Sequence, residues 1–129
     1  MVKRVPKNIL VVEDDPSLNE AYKMILESSG HHTRTAYDGK EALRLVAEQD
    51  PDIIFLDLRM PIMDGIEFLK KYEPKKSHKH VKVIVFSNYD MQQEVDEAYD
   101  LGAERYVLKA WASPKELLKL VDDIDVHHQ

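Results

Sequence analysis

One apolar run constrains the fold more than any other feature. Residues 53–56 (Ile-Ile-Phe-Leu) form an uninterrupted apolar segment that ends at Asp57. A run of strand length without polar alternation is typical of a strand buried on both faces, as in a parallel sheet covered by helices. A second run of this kind, residues 9–12, leads directly into Glu13 and Asp14. Two buried strands are therefore predicted to deliver carboxylates to the same edge of one sheet.

The remaining sequence alternates extended and helical segments. Apolar residues recur at helical spacing after each of five extended runs, without a repeat or a linker. This βα alternation predicts a parallel sheet with helices on both faces, joined by right-handed crossovers. Because the first, third and fourth runs are strongly apolar, they should lie in the centre, which agrees with the flavodoxin-like strand order 2-1-3-4-5 of a (βα)5 α/β fold. The predicted strands are 8–13, 32–36, 53–56, 81–86 and 105–108, with the polar run 32–36 at an edge.

Local signals mark several boundaries of helices. Pro16 suits the first position of the first helix, whose apolar face is predicted to contain residues 18, 21, 22 and 25. Gly102 should end the fourth helix, and Ser113 with Glu116 forms a capping-box pattern before the fifth. The lysine-rich segment 73–82 is predicted to be mostly a solvated loop.

Composition limits the classes of function. The 129 residues suit one domain with a hydrophobic core, and no apolar stretch approaches the ~20 residues that span a bilayer. The absence of cysteine excludes disulfides and thiol catalysis and suits a cytoplasmic protein. A net charge of −6 argues against direct binding of nucleic acid. We predict a basic N-terminal tail (1–7), one domain (8–125) and a C-terminal tail (126–129).

Polar residues follow four of the predicted strands. At the carboxyl edge, the first strand delivers Glu13 and Asp14, the third Asp57, the fourth Ser87 and the fifth Lys109. Neighbouring carboxylates repel one another, and Mg²⁺, which prefers carboxylate, water and phosphate oxygens, removes that conflict. A carboxylate can also act as a nucleophile towards phosphorus, and one cation with one lysine can neutralise the transferred group.

The chain resembles the receiver domains of two-component response regulators over about residues 8–125. The resemblance depends on five features at matching strand ends: Glu13-Asp14, Asp57 with Pro61, Asp64-Gly65, Ser87 and Lys109.

The resemblance implies a role for each of these residues. Asp57 would be the phosphoacceptor, and Glu13, Asp14, Asp57 and the backbone carbonyl of Arg59 would bind Mg²⁺. Ser87 would be the switch hydroxyl, Lys109 would contact the phosphoryl group, and Tyr106 would be the aromatic switch residue. These roles and residues are those expected of the family.

The same resemblance implies partners and an output. A sensor histidine kinase or a phosphotransfer protein would supply the phosphoryl group, and a downstream protein or a fused output domain would receive the signal. The output face would comprise the fourth helix, fifth strand and fifth helix, through which dimers could also form. The chain would be a signalling module, enzymatic only in assisting its own phosphorylation and dephosphorylation. No contact with a membrane is expected.

Two positions depart from the family pattern. Ala110 follows Lys109 where proline is usual, so we expect a trans peptide bond there. Asn88 follows Ser87 where a small residue is usual. With Arg59 and Tyr89 also beside the site, we predict a long-lived phosphoryl group.

Two other functions remain as alternatives. One is a degenerate receiver that binds partners without being phosphorylated, which Ala110 and Asn88 keep open. The other is a phosphohydrolase with an aspartyl nucleophile, which the lack of a second aspartate at position 59 disfavours. The histidines lack the helical i, i+4 spacing of zinc ligands and are not expected to form a metal site. Trp111 either packs over the fifth helix or is exposed, and the acidic fourth helix suggests a basic partner surface.

Overall fold

The structure is a computed structural model that describes residues 5–127, with side chains described as far as residue 124. Residues 1–4, most of the predicted basic tail, lie outside the described residues, as do residues 128 and 129. The described residues form five strands and five helices longer than one turn, together with a single helical turn (Pro74–Ser77) and a 3-10 turn (Lys109–Trp111). In chain order the elements are β1 (Asn8–Val12), α1 (Pro16–Ser28), β2 (His32–Ala36), α2 (Gly39–Glu48), β3 (Ile53–Asp57), α3 (Gly65–Tyr72), β4 (Lys82–Ser87), α4 (Gln92–Asp100), β5 (Ala103–Leu108) and α5 (Pro114–His127).

The sheet confirms the predicted topology. All four strand pairs are parallel, in the order β2-β1-β3-β4-β5. Strands β1, β3 and β4 are almost wholly buried, whereas the polar β2 and the half-buried β5 lie at the edges. Alternate residues of the central strands enter two separate hydrophobic clusters, one on each face of the sheet. The continuous apolar runs therefore reflect burial on both faces, as predicted.

Aspartates begin three of the helices that follow these strands. Asp15 accepts hydrogen bonds from the backbone of Ser17 and Leu18, and Asp38 and Asp64 each accept one from the third residue of their helix. Each side chain satisfies backbone N–H groups that have no partner within the helix. Ser113 caps α5 in the same way, since its hydroxyl accepts from the Glu116 N–H at 3.2 Å, as the capping-box pattern predicted.

The inward face of α1 differs from the prediction. Asn19, Tyr22 and Leu26 are buried, whereas Ala21, which we placed on the apolar face, is exposed. The reason is a polar contact of Asn19, which leaves no signal in the apolar periodicity of the sequence. The Asn19 amide donates to the carbonyl of Glu13 at 3.0 Å and to that of Ala36 at 3.2 Å, and so fastens α1 to the ends of β1 and β2.

Most of segment 73–82 is exposed, as predicted, but it contains a helical turn that the sequence did not predict. Pro74 is buried at the start of that turn. A side chain on Gly102 would lie 2.9 Å from the Pro74 ring, so the turn packs tightly against the start of β5. At the other end of the chain, α5 continues to His127, so residues 126 and 127, which we assigned to a tail, are helical.

Candidate functional site

Two buried carboxylates meet at the carboxyl end of the sheet. Glu13 directly follows β1, Asp57 ends β3, and the two strands are hydrogen-bonded neighbours whose last paired residues are Val12 and Leu56. Glu13 is 2% exposed and Asp57 is 5% exposed. The pairing of β1 with β3 therefore brings the two side chains together at the predicted edge.

Lys109 forms an ion pair with both carboxylates. Its Nζ lies 2.7 Å from Glu13 Oε1 and 3.1 Å from Asp57 Oδ2, and its side chain is only 10% exposed. The sequence predicted that Lys109 would lie beside Asp57. It did not predict that the shorter contact is with Glu13, because that depends on the path of the chain after β5 and on the side-chain rotamer of Lys109.

Burial dominates the electrostatics of this cluster. Burial raises the pKa of Glu13 to about 7, although the hydrogen bond from Lys109 opposes the rise. Burial likewise raises the pKa of Asp57 above the ordinary aspartate value, against the opposing effects of the Arg59 N–H and of Lys109. For Lys109, burial lowers the pKa, but the hydrogen bond to Glu13 and the charge of Asp57 outweigh it and hold the pKa above its ordinary value. Two acids share one lysine at this site, so their combined negative charge exceeds the single positive charge of Lys109.

A third carboxylate completes an oxygen-rich group. Carboxylate oxygens of Glu13, Asp14 and Asp57 all lie within 4.8 Å of one another, and Asp14 is exposed. Hard oxygen donors beside an open cleft suit Mg²⁺, which retains several of its water ligands. The cleft has a volume of about 260 Å³, with Arg59 and Asn88 in its wall.

Backbone groups hold both acids in place. The Arg59 N–H donates to Asp57 Oδ1 at 3.1 Å, and the Asp15 N–H donates to Glu13 Oε2 at 3.1 Å. Gly65 lies so close to the end of β3 that a Cβ atom there would be 2.6 Å from the Asp57 carbonyl oxygen. A glycine at this position therefore lets α3 begin directly against the strand that carries Asp57.

Ser87 and Tyr106 lie together beside the cluster. Ser87 is fully buried at the end of β4, and its hydroxyl accepts from the Tyr89 N–H at 3.2 Å. The half-buried Tyr106 donates from its hydroxyl to the Tyr89 carbonyl at 2.8 Å. Burial raises the pKa of Tyr106, and a hydrogen bond with Ser87 offsets part of that rise. Ser87 and Tyr106 are thus both hydrogen-bonded to Tyr89, one to its N–H and the other to its carbonyl.

Arg59 makes contacts that the sequence did not predict. Its guanidinium group lies 2.6 Å from Glu94 Oε2 on α4 and 4.6 Å from the centre of the Tyr89 ring. The acidic composition of α4 was evident in the sequence, but nothing in that composition distinguishes Glu94 from Glu97. Only the packing of α4 against the loop after β3 selects Glu94.

The loop after Lys109 bears out one expectation and decides another. The described residues contain no cis peptide bond, so the bond before Ala110 is trans, as predicted. Trp111 belongs to the 3-10 turn and is 72% exposed, which decides between the two alternatives left open for it. Within residues 5–127, no helix has the length and hydrophobicity needed to cross a membrane.

Known proteins share this architecture. The family model described as "Response regulator receiver domain" matches residues 9–122. The polar-differentiation response regulator DivK of Brucella anthropi is 29% identical over 111 residues, which cover 86% of this chain and 90% of DivK. The response regulator MprA of Mycolicibacterium vanbaalenii is 32% identical over 116 residues, which cover 90% of this chain and 49% of MprA. This chain therefore spans nearly all of one relative and about half of the other.

A solved structure agrees with the family model. The CheY-like receiver domain protein of Methanospirillum hungatei matches with a TM-score of 0.84 and 26% identity, over 92% of this chain and 93% of that one. The sheet order, the family model and this structural neighbour all lead to the same assignment: the chain belongs to the response regulator receiver domain family.

Proposed function

We propose that this domain is a phosphorylation-controlled switch of a two-component phosphorelay, in which Asp57 accepts a phosphoryl group from a phosphohistidine. One observation carries the proposal. Asp57 is a nearly buried carboxylate that combines a lysine at 3.1 Å with two neighbouring acids in one cleft. A helix cap or a surface salt bridge needs neither the burial nor the excess of negative charge.

The transfer uses the groups of the cleft in a simple sequence. An Asp57 carboxylate oxygen attacks phosphorus, an O–P bond forms, the N–P bond of the phosphohistidine breaks, and the imidazole keeps its electron pair and takes up a proton. The Lys109 ammonium group, which contacts the carboxylates before the transfer, would also contact a phosphoryl oxygen. The Ser87 hydroxyl donates to another phosphoryl oxygen, and so neutralisation and positioning account for the catalysis.

Mg²⁺ is the cofactor that fits this donor set. Glu13, Asp14, Asp57 and the backbone carbonyl of Arg59 would hold it, with Asp14 the better placed of the acidic pair because it is exposed to the cleft. When bound, the ion offsets the negative charge of the phosphoryl oxygens and of the carboxylates. Lys109 alone cannot do this, since two buried acids already share it.

The signal would leave the site through Ser87 and Tyr106. Movement of the Ser87 hydroxyl towards the phosphoryl group would break its hydrogen bond with the Tyr89 N–H. Because the Tyr89 carbonyl accepts from Tyr106, this would shift Tyr106 and the face formed by α4, β5 and α5. That face would bind a downstream protein or a fused output domain. A second copy of this chain could bind to the same face. We place this activity in the cytoplasm, with a sensor histidine kinase or a phosphotransfer protein as donor.

The lifetime of the phosphoryl group would be long. Asn88 and Arg59 both line the cleft, and Arg59 lies over the Tyr89 ring, so these side chains would hinder an attacking water on its way to the phosphoryl group. Replacing Asn88 with alanine should shorten the lifetime. Rapid loss of the phosphoryl group in the presence of Mg²⁺, unaffected by that replacement, would overturn this expectation.

The deciding experiment is intact mass after incubation with Mg²⁺ and acetyl phosphate, with Asp57→Asn as the control. A gain of one phosphoryl group that the control lacks supports a working receiver that assists its own modification. Absence of any gain, also with the cognate kinase, favours the degenerate receiver that binds partners without modification. Sustained hydrolysis of phosphate esters would favour a phosphohydrolase instead.

A further inference from the structure

The Arg59 side chain links the phosphoacceptor cleft to α4. Its backbone N–H donates to Asp57 Oδ1 at 3.1 Å, whereas its guanidinium group lies 2.6 Å from Glu94 Oε2. Glu94 belongs to the first turn of α4. One residue therefore contacts the reacting carboxylate through its backbone and an output helix through its side chain.

Glu94 depends on this contact. Its side chain is 27% exposed, and its other oxygen, Oε1, is buried without a hydrogen-bond partner among the described residues. A buried carboxylate oxygen without a partner is costly, so the balance of charge at Glu94 rests on Arg59. A second pair on α4, Glu97 with Lys70, is separated by 3.7 Å, and its side chains are 44% and 58% exposed. That pair resembles an ordinary surface salt bridge and serves as a natural control.

The same guanidinium group contacts the loop that carries Tyr89. Arg59 lies over the Tyr89 ring at 4.6 Å, and the Tyr89 carbonyl accepts the Tyr106 hydroxyl at 2.8 Å. The backbone N–H of Tyr106 in turn donates to the hydroxyl of Tyr99 on α4 at 3.1 Å. A movement of Arg59 would therefore disturb α4 directly through Glu94 and indirectly through Tyr89.

We propose that the Arg59–Glu94 ion pair is a phosphorylation-sensitive lock that holds the first turn of α4 in the unphosphorylated domain. The lock rests on the proposed function of Asp57. A phosphoryl group on Asp57 brings three acceptor oxygens and additional negative charge into the cleft that Arg59 lines. A guanidinium group binds such an acceptor in preference to a single carboxylate oxygen. Arg59 then leaves Glu94, and the first turn of α4 loosens.

The test combines two NMR measurements with intact mass. The side-chain Nε–Hε resonance of Arg59 reports the partner of its guanidinium group, and the chain has only five arginines to resolve. Amide hydrogen exchange reports the opening of α4. Both are recorded with and without Mg²⁺ and acetyl phosphate, for the wild type, Glu94→Gln and the matched control Glu97→Gln, while intact mass gives the phosphoryl occupancy.

Three results are expected. Without phosphorylation, Glu94→Gln should speed exchange of the α4 amides from Val95 onward by about two- to fivefold, the range for a single partly exposed ion pair, whereas Glu97→Gln should not. Val95 comes first because its N–H donates to the Met91 carbonyl at 3.0 Å. Phosphorylation of the wild type should shift the Arg59 Nε–Hε resonance and speed the same amides. Phosphorylation of Glu94→Gln should add little further exchange.

The outcomes separate the two proposals. An Arg59 resonance that does not move in protein whose mass shows a phosphoryl group overturns the lock and leaves the receiver function standing. Equal exchange in Glu94→Gln and Glu97→Gln also overturns the lock. Absence of any mass gain in the wild type is a failure of the proposed function, and the phosphorylation-sensitive lock fails with it.

Discussion

Asp50 and Asp57 lie seven positions apart, at opposite ends of the sheet, and they differ in how well their neighbours balance the carboxylate charge. Asp57 shares a single lysine with Glu13, and burial raises its pKa. Asp50 precedes β3 and has partners of its own: the Tyr72 hydroxyl donates to Oδ1 at 2.7 Å, and His78 Nδ1 lies 2.7 Å from Oδ2.

The electrostatics of Asp50 are correspondingly different. Burial raises its pKa, but the hydrogen bonds with Tyr72 and His78 outweigh burial and lower the pKa below the ordinary value. The ring of Tyr72 also stacks on that of His78, with centroids 4.1 Å apart. Asp50 therefore joins α3 to the following turn, whereas Asp57 carries a charge that the folded protein tolerates at a cost. A satisfied carboxylate stabilises, and an under-neutralised one is available for chemistry.

Removing Lys109 should have the largest effect. In Lys109→Met, Glu13 and Asp57 lose their shared cation, and unfolding should become easier by about 3 kcal/mol, as for other buried ion pairs that lose one partner. Urea denaturation at pH 7 measures this. Lys82→Met is the control, because the ion pair of Lys82 with Glu104 is long, at 3.7 Å, and should change stability by about 0.5 kcal/mol at most. Equal losses in the two variants would contradict the role of Lys109.

Removing Asp50 should cost less and leave the chemistry intact. Asp50→Ala deprives Tyr72 and His78 of their partner, which should lower the free energy of unfolding by about 1–2 kcal/mol. Phosphorylation by acetyl phosphate, measured by intact mass, should match the wild type. Reduced phosphorylation in a variant that is still folded would show that the two ends of the sheet are coupled.

Replacing Asp57 or Asp50 with asparagine should change the stability of the domain in opposite directions. Asp57→Asn removes one of two carboxylates that compete for Lys109 and should stabilise the domain by about 1 kcal/mol while abolishing phosphorylation. Asp50→Asn removes a satisfied charge and should destabilise by a similar amount. Thermal denaturation of both variants at pH 7 measures the difference. Stability changes of the same sign in the two variants would contradict the contrast drawn between Asp50 and Asp57.

The pH dependence of stability should again differ in sign between Glu13 and Asp50. In metal-free protein with EDTA, Glu13 has a pKa of about 7 in the folded state, raised from the usual 4.5, so its contribution to stability falls as the pH rises from about 4.5 to about 7. The lowered pKa of Asp50 has the opposite consequence, because its contribution is lost as the pH falls below its ordinary 3.8.

Urea denaturation across pH 3–8 tests both slopes. The stability gained by Glu13→Gln relative to the wild type should grow between pH 4.5 and 7. The stability lost by Asp50→Asn should shrink at the acid end. A difference between Glu13→Gln and the wild type that stays constant across the range would refute the assignment for Glu13.

The sequence by itself determined the sheet order and the location of the site. Continuous apolar runs of strand length are typical of strands covered on both faces, and the residue that follows each run then lies at the carboxyl edge. Glu13, Asp57, Ser87 and Lys109 could be assigned to one edge for that reason. The identity of each residue and its distance from the end of a strand were sufficient to assign it to this edge.

Tertiary structure decided which partner each side chain takes. The shorter contact of Lys109 with Glu13, the choice of Glu94 by Arg59 and the pairing of Asp50 with His78 all join segments that are distant in sequence. Such contacts depend on the crossing of helices and loops and on side-chain rotamers, which leave no periodic signal. The buried Asn19 in α1 belongs with them, because its partners are backbone carbonyls that only the assembled sheet brings within reach.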